Sequence, residues 1–75
     1  WDRRRAEHRF DRWTELHPKD PAGWLYLGWL CRLHGRYREA DRHLKRSRKL
    51  DRNREWTAAI HPLDQEIRRI TEERP

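Results

Sequence analysis

Asp20-Pro21-Ala22-Gly23-Trp24-Leu25-Tyr26-Leu27-Gly28-Trp29-Leu30-Cys31-Arg32-Leu33-His34-Gly35 is the stretch on which the fold turns. Asp20 suits an N-cap, because its carboxylate can accept from the unpaired N–H groups of a first helical turn. Pro21 suits the first helical position, where a missing N–H costs nothing. Gly35 suits the left-handed residue that closes a helix. Between Pro21 and His34 the only formal charge is Arg32. The spacing therefore predicts a helix over 21–34 that is apolar nearly all round and buried on more than one side.

The segments on either side carry helical patterns of a different kind. Ala6, Phe10, Trp13 and Leu16 form an apolar stripe on a charged helix over 1–17, which Pro18 ends. Tyr37, Ala40, Leu44, Ser47 and Leu50 form the inward stripe of a helix over 36–50. Arg38, Arg42, Lys45 and Lys49 fall together on its opposite side. Asn53 is the expected N-cap of a short segment over 54–60. Pro62 then interrupts, leaving either one kinked helix to Glu73 or two, with Leu63, Ile67 and Ile70 as an apolar stripe. No alternation of period two competes. The expectation is one all-α domain over 1–75 with four to five helices.

Composition is consistent with that reading. Of 75 residues, 43% are charged and only 33% apolar, but five tryptophans let a small core bury a large area. The net charge of +6 is concentrated in the middle. Residues 1–20 carry six Lys/Arg and five Asp/Glu, residues 21–53 nine and three, and residues 54–75 four and five. A basic patch of this kind steers acidic proteins, nucleic acid or anionic lipid, or is simply a solvated face. Cys31, the single cysteine, permits no internal disulfide and sits among apolar residues. No apolar run approaches the ~20 residues of a membrane-spanning helix. The cytoplasm is the default compartment; a membrane-associated assembly would require an anchor upstream of Trp1.

The chain also repeats. At a shift of 34 residues Ala6 maps on Ala40, Phe10 on Leu44 and Leu16 on Leu50. Trp24-x₂-Leu27-Gly28-x₂-Cys31, followed by Ala40-x₃-Leu44, reproduces most of the pattern of one helical-hairpin family, with Cys31 and Leu44 in place of aromatics. Ala6-x₃-Phe10 and Pro18 supply the second half of the unit before. On these residues the chain resembles a tetratricopeptide repeat protein. The resemblance covers the second helix of a partial repeat (1–18) and a complete repeat (21–54). It fades over 54–75, a divergent capping segment in which Arg52 stands where the family closes a repeat with proline and Pro62 falls inside a helix. It implies antiparallel hairpins stacked into a right-handed superhelix. Gly28 and the matching small residue Ala40 would let the two helices approach closely, with Trp24, Leu27 and Cys31 facing the second helix together with Tyr37 and Leu44. Phe10, Trp13 and Leu16 would pack against Tyr26 and Leu30. A repeat that lacks its first helix leaves the apolar face of 1–17 only half covered, so that an upstream helix or another chain is expected to cover the rest.

The resemblance implies binding of other proteins. Leu25, Trp29 and Leu33, with Arg32 beside them, would line the family's concave groove and take a peptide or helix, unless 54–73 covers them. Trp29 would be the anchor and Arg32 a carboxylate contact. The alternatives are a basic module that contacts nucleic acid or an anionic membrane through Arg38, Arg42, Lys45 and Lys49, and self-association through 1–17. No aromatic residue interleaves with the basic row in sequence. The five histidines lack metal-ligand spacing, and no phosphate loop, nucleophile elbow or triad is legible. No enzyme activity, cofactor or metal is expected.

Overall fold

In a computed structural model describing residues 3–73, the chain forms four helices and no strand. They are α1 (Arg3–Leu16), α2 (Pro21–Leu33), α3 (Tyr37–Leu50) and α4 (Thr57–Glu73). Trp1, Asp2, Arg74 and Pro75 belong to the first and last expected segments and lie outside the described residues. The 34-residue shift carries Arg3–Leu16 onto Tyr37–Leu50, the bounds of α3, and carries most of α2 onto α4.

Local chemistry sets the ends of α2. Asp20 accepts from the Ala22 N–H at 3.0 Å through one carboxylate oxygen and from the Trp13 indole N–H at 3.1 Å through the other. One side chain thus caps α2 and ties α1 to its start. At the far end Gly35 has φ 76°, and the N–H groups of Gly35 and Arg36 return to the carbonyls of Arg32 and Cys31. This paired closure leaves a connection short enough to fold α3 back against α2.

The α2–α3 hairpin is the centre of the molecule. Leu25, Cys31, Ala40 and Leu44 are buried there together with Ile60 and Ile67 of α4, and Tyr37, Trp56 and Leu63 pack on the cluster. Leu27 is buried as well. A Cβ built on Gly28 would lie 2.9 Å from two carbons of Leu44 and 3.4 Å from the Ala40 carbonyl oxygen, so the backbones meet where the spacing predicts. Ser47, fully buried, donates to the Pro21 carbonyl at 2.8 Å and locks the open end of the hairpin. The molecule is a slab, 35 × 31 × 18 Å. Successive helices pack on one another, and α4 also reaches α2.

One open question is decided and two sequence expectations are corrected. Of the two alternatives at Pro62 the structure has the single helix, which runs over 57–73. Pro62 is exposed, so water can solvate the Ala58 carbonyl left without an amide partner. Asn53 is not the cap. Asp51, buried, accepts from the Trp56 N–H and the Thr57 hydroxyl, both at 3.0 Å, and so organises the turn into α4. Leu16 is 67% exposed and does not join the layer of Phe10 and Trp13. Asp51→Ala removes both bonds and is expected to cost about 1–2 kcal/mol. Thermal melts should show a fall of roughly 5–10 °C at this chain length.

Candidate functional site

The exposed large apolar side chains of the described residues define the first surface. They are Trp13, Leu16, Tyr26, Trp29 and Leu33. Tyr26, Trp29 and Leu33 follow one another at i, i+3 and i+7, a single stripe along α2. Tyr26 stacks on Phe10 of α1 with ring centroids 5.0 Å apart. Beside them Phe10, Trp13, Ala22, Gly23 and Tyr26 enclose an apolar hollow of about 220 Å³. The stripe and the hollow form one surface along the open edge of α1 and α2.

Its phase differs from the expected groove. Leu25 is only 6% exposed, because it belongs to the core shared with Ile60 and Ile67. The Arg32 guanidinium is paired with Glu66 of α4, which holds its pKa above the ordinary value. The carboxylate that Arg32 was expected to find on a partner is therefore supplied by the chain itself. Trp29 and Leu33 stay exposed, and Tyr26 rather than Leu25 completes their stripe. In an all-apolar helix either phase is consistent with the sequence; the position of α4 selects one.

Arg32 and Glu66 are 34 residues apart, so equivalent positions of α2 and α4 lie side by side. Under the same shift Tyr26, Trp29 and Leu33 correspond to Ile60, Leu63 and Ile67. Ile60 and Ile67 are buried, and Leu63 packs on the core, because α2 and α3 lie beneath α4. Their counterparts on α2 are exposed because, among the described residues, α1 alone lies on that side. The opposite end of the slab has another character. Trp24, Leu27, Gly28 and Cys31 correspond to Ala58, His61, Pro62 and Gln65, all exposed. One end of the stack is thus open and apolar, and the other is small and polar.

Ion pairs hold the layers in this register. Glu7 of α1 meets Arg36 at 2.9 Å and His34 at 3.6 Å at the α2–α3 turn. Arg48 of α3 pairs with Asp64 of α4, and Arg68 lies 3.7 Å from the same oxygen of Asp64. Cys31 is 2% exposed, and burial with the nearby Glu39 pushes its thiol up to about 11. It packs as a small apolar residue in the core cluster.

A second surface lies on the α2–α3 hairpin. An open recess of about 770 Å³ is lined by Trp24, Glu39, His43 and five cations of α3, namely Arg42, Lys45, Arg46, Arg48 and Lys49. Of the expected basic row, Arg42, Lys45 and Lys49 line it. Arg38 is exposed outside it. Trp24 faces α3 as expected, but it is half-buried beside the cluster rather than within it. Its indole N–H donates to the Pro18 carbonyl at 3.0 Å, the Arg46 guanidinium lies 4.9 Å from its ring centroid, and His43 stands 5.8 Å away. Burial lowers the His43 pKa, so the imidazole is neutral at neutral pH. The basic row therefore does have an aromatic neighbour, contributed by another helix. The motif spacing assigned Trp24 to packing, and no local pattern links position 24 to positions 42–49.

Among the described residues no cluster of three or more His, Cys, Asp or Glu side chains could hold a metal ion, and no helix is long and apolar enough to cross a membrane. Comparison with protein-family models, curated proteins and solved structures finds no match for this chain.

Proposed function

We propose that the chain is a protein-interaction module of the tetratricopeptide-repeat type that docks an amphipathic helix on its open end. The observation that carries this reading is the stripe Tyr26, Trp29 and Leu33, exposed where the equivalent residues of α4 are covered. A helix seated along α1 and α2 would stand to α2 as α2 stands to α4. It would fill the hollow between Phe10 and Trp13 and bury the two aromatic rings of the stripe. The polar face of α4 supports the same reading, since terminal units of helical stacks end in a polar outer face. The work of the module is binding by shape and apolar burial, as part of a larger assembly.

A synthetic amphipathic helix with apolar residues at i, i+3, i+4 and i+7 is the probe. It should bind with a blue shift of tryptophan emission and gain helicity. Trp29→Ala should weaken binding about thirtyfold, as loss of a central aromatic anchor does. Charge reversal at Arg42 and Lys49 should leave it unchanged. Intact binding by Trp29→Ala would sink the proposal. Sedimentation of the chain alone tests self-association on the same surface: a dimer that Trp29→Ala dissolves would make a second copy the occupant.

A further inference from the structure

We infer that the recess on the α2–α3 hairpin binds single-stranded nucleic acid, with a base stacked on Trp24 and phosphates held by Arg42, Arg46 and Lys49. The site is independent of the Tyr26–Trp29–Leu33 stripe, because Trp24 lies on the side of α2 turned toward α3.

Cations alone would bind any polyanion. Here an indole from a neighbouring helix is set among them, and its N–H donates to the Pro18 carbonyl, which orients the ring in the recess. His43 adds a second flat side chain beside it, 5.8 Å away. The Arg46 guanidinium over the ring shows that this face accepts a planar group. A base takes that place, and Arg46 turns to the adjoining phosphate. Aromatic platforms bordered by Arg and Lys are how strands are bound without regard to sequence.

The remaining charges agree with this assignment. Arg42 and Lys49 have no carboxylate partner among the described residues. They lie two turns apart on α3, about 10 Å along its axis. Lys45, between them, is held by Asp41 at 3.0 Å, and Arg48 is held by Asp64. The carboxylate at the rim, Glu39, is within 4.0 Å of Arg36 and accepts from the Cys31 thiol at 3.8 Å. A bilayer surface would not follow a recess, and an acidic peptide would meet the cations but leave the indole unused.

The test is fluorescence anisotropy of the chain with a labelled twelve-nucleotide single strand, beside an abasic strand of equal length, a polyglutamate peptide and vesicles of phosphatidylserine and phosphatidylcholine. The base-bearing strand should bind about tenfold or more tighter than the abasic one, the worth of stacking on one indole. Its affinity should fall steeply with salt. Trp24→Leu should bring it to the abasic level and leave abasic binding unchanged. Lys49→Glu, at an exposed position, should weaken both strands about tenfold and does not depend on how the core tolerates Trp24→Leu. Trp29→Ala should change neither. Equal affinity for the two strands, for polyglutamate or for the vesicles would overturn the inference.

Discussion

Gly28→Ala is expected to destabilise the domain by about 1–2 kcal/mol, and Gly28→Val to unfold it. Alanine normally improves a helix interior over glycine by up to ~1 kcal/mol, so the sign itself is diagnostic. The penalty comes from contact. The added Cβ would meet two Leu44 carbons at 2.9 Å, and Leu44 is fully buried with nowhere to retreat. Overpacking of that kind costs about 1–3 kcal/mol per site. Leu44→Ala alone should cost about 2–5 kcal/mol through the cavity it leaves. In that background Gly28→Ala should cost less than in the parent chain, because its methyl enters vacated space. The coupling should reach ~1 kcal/mol in urea melts of the four proteins. Gly23→Ala is the contrast. Its Cβ would approach Trp13 Cδ1 at 2.6 Å and Thr14 Cγ2 at 3.0 Å; Trp13 is 44% exposed and can shift outward only by giving up its bond to Asp20. Its cost should therefore come through the α1–α2 contact and be unaffected by Leu44→Ala. A neutral Gly28→Ala would show that the α2–α3 approach is looser than described.

The ion pair between α3 and α4 should respond asymmetrically to loss of its two members. The Asp64 side chain is 3% exposed and that of Arg48 is 47% exposed. Arg48→Met strands a buried carboxylate whose second oxygen has no hydrogen-bond partner, leaving Arg68 at 3.7 Å as its nearest cation. The expected loss is about 2–3 kcal/mol, below the cost of breaking a fully buried pair because Arg68 remains. Asp64→Leu instead removes the buried charge and lets Arg48 extend into water. It should cost less than ~1 kcal/mol or stabilise the fold. The 34-residue shift sharpens this. Arg48 and Asp64 correspond to Thr14 and Leu30, both buried in the α1–α2 layer. The double variant Arg48→Thr/Asp64→Leu reproduces that arrangement and should melt at or above the parent temperature, although Arg48→Thr alone melts below it. Equal losses from the two single variants would contradict the asymmetry.

Some parts of this molecule were legible because they depend on neighbours in the chain. The cap at Asp20 and the turn at Gly35 arise from short-range geometry, and the 34-residue period repeats the packing positions Ala40 and Leu44 as Ala6 and Phe10. Pro62 left two alternatives open for the same reason: locally a proline interrupts a helix, but on the exposed side of α4 water can take over the freed carbonyl, and the helix continues. The candidate sites were legible only in part. Whether a partner or 54–73 covers Leu25, Trp29, Arg32 and Leu33 was open in the sequence; α4 takes Leu25 and Arg32 and leaves Trp29 and Leu33 exposed, while Trp24 faces α3 as its spacing implies but beside the basic row.

The amino-acid sequence by itself determined that the chain is all-helical, where α2 begins and ends, and which face of α3 is charged. Hydrophobic periodicity and capping chemistry act within a few residues, so nothing distant is needed to read them. Only the tertiary structure decided what covers the second side of residues 20–35. α2 is apolar in every direction, so its own pattern cannot choose between Leu25 and Tyr26. The choice is made by α4, which buries Leu25, engages Arg32 through Glu66 and leaves Tyr26, Trp29 and Leu33 open.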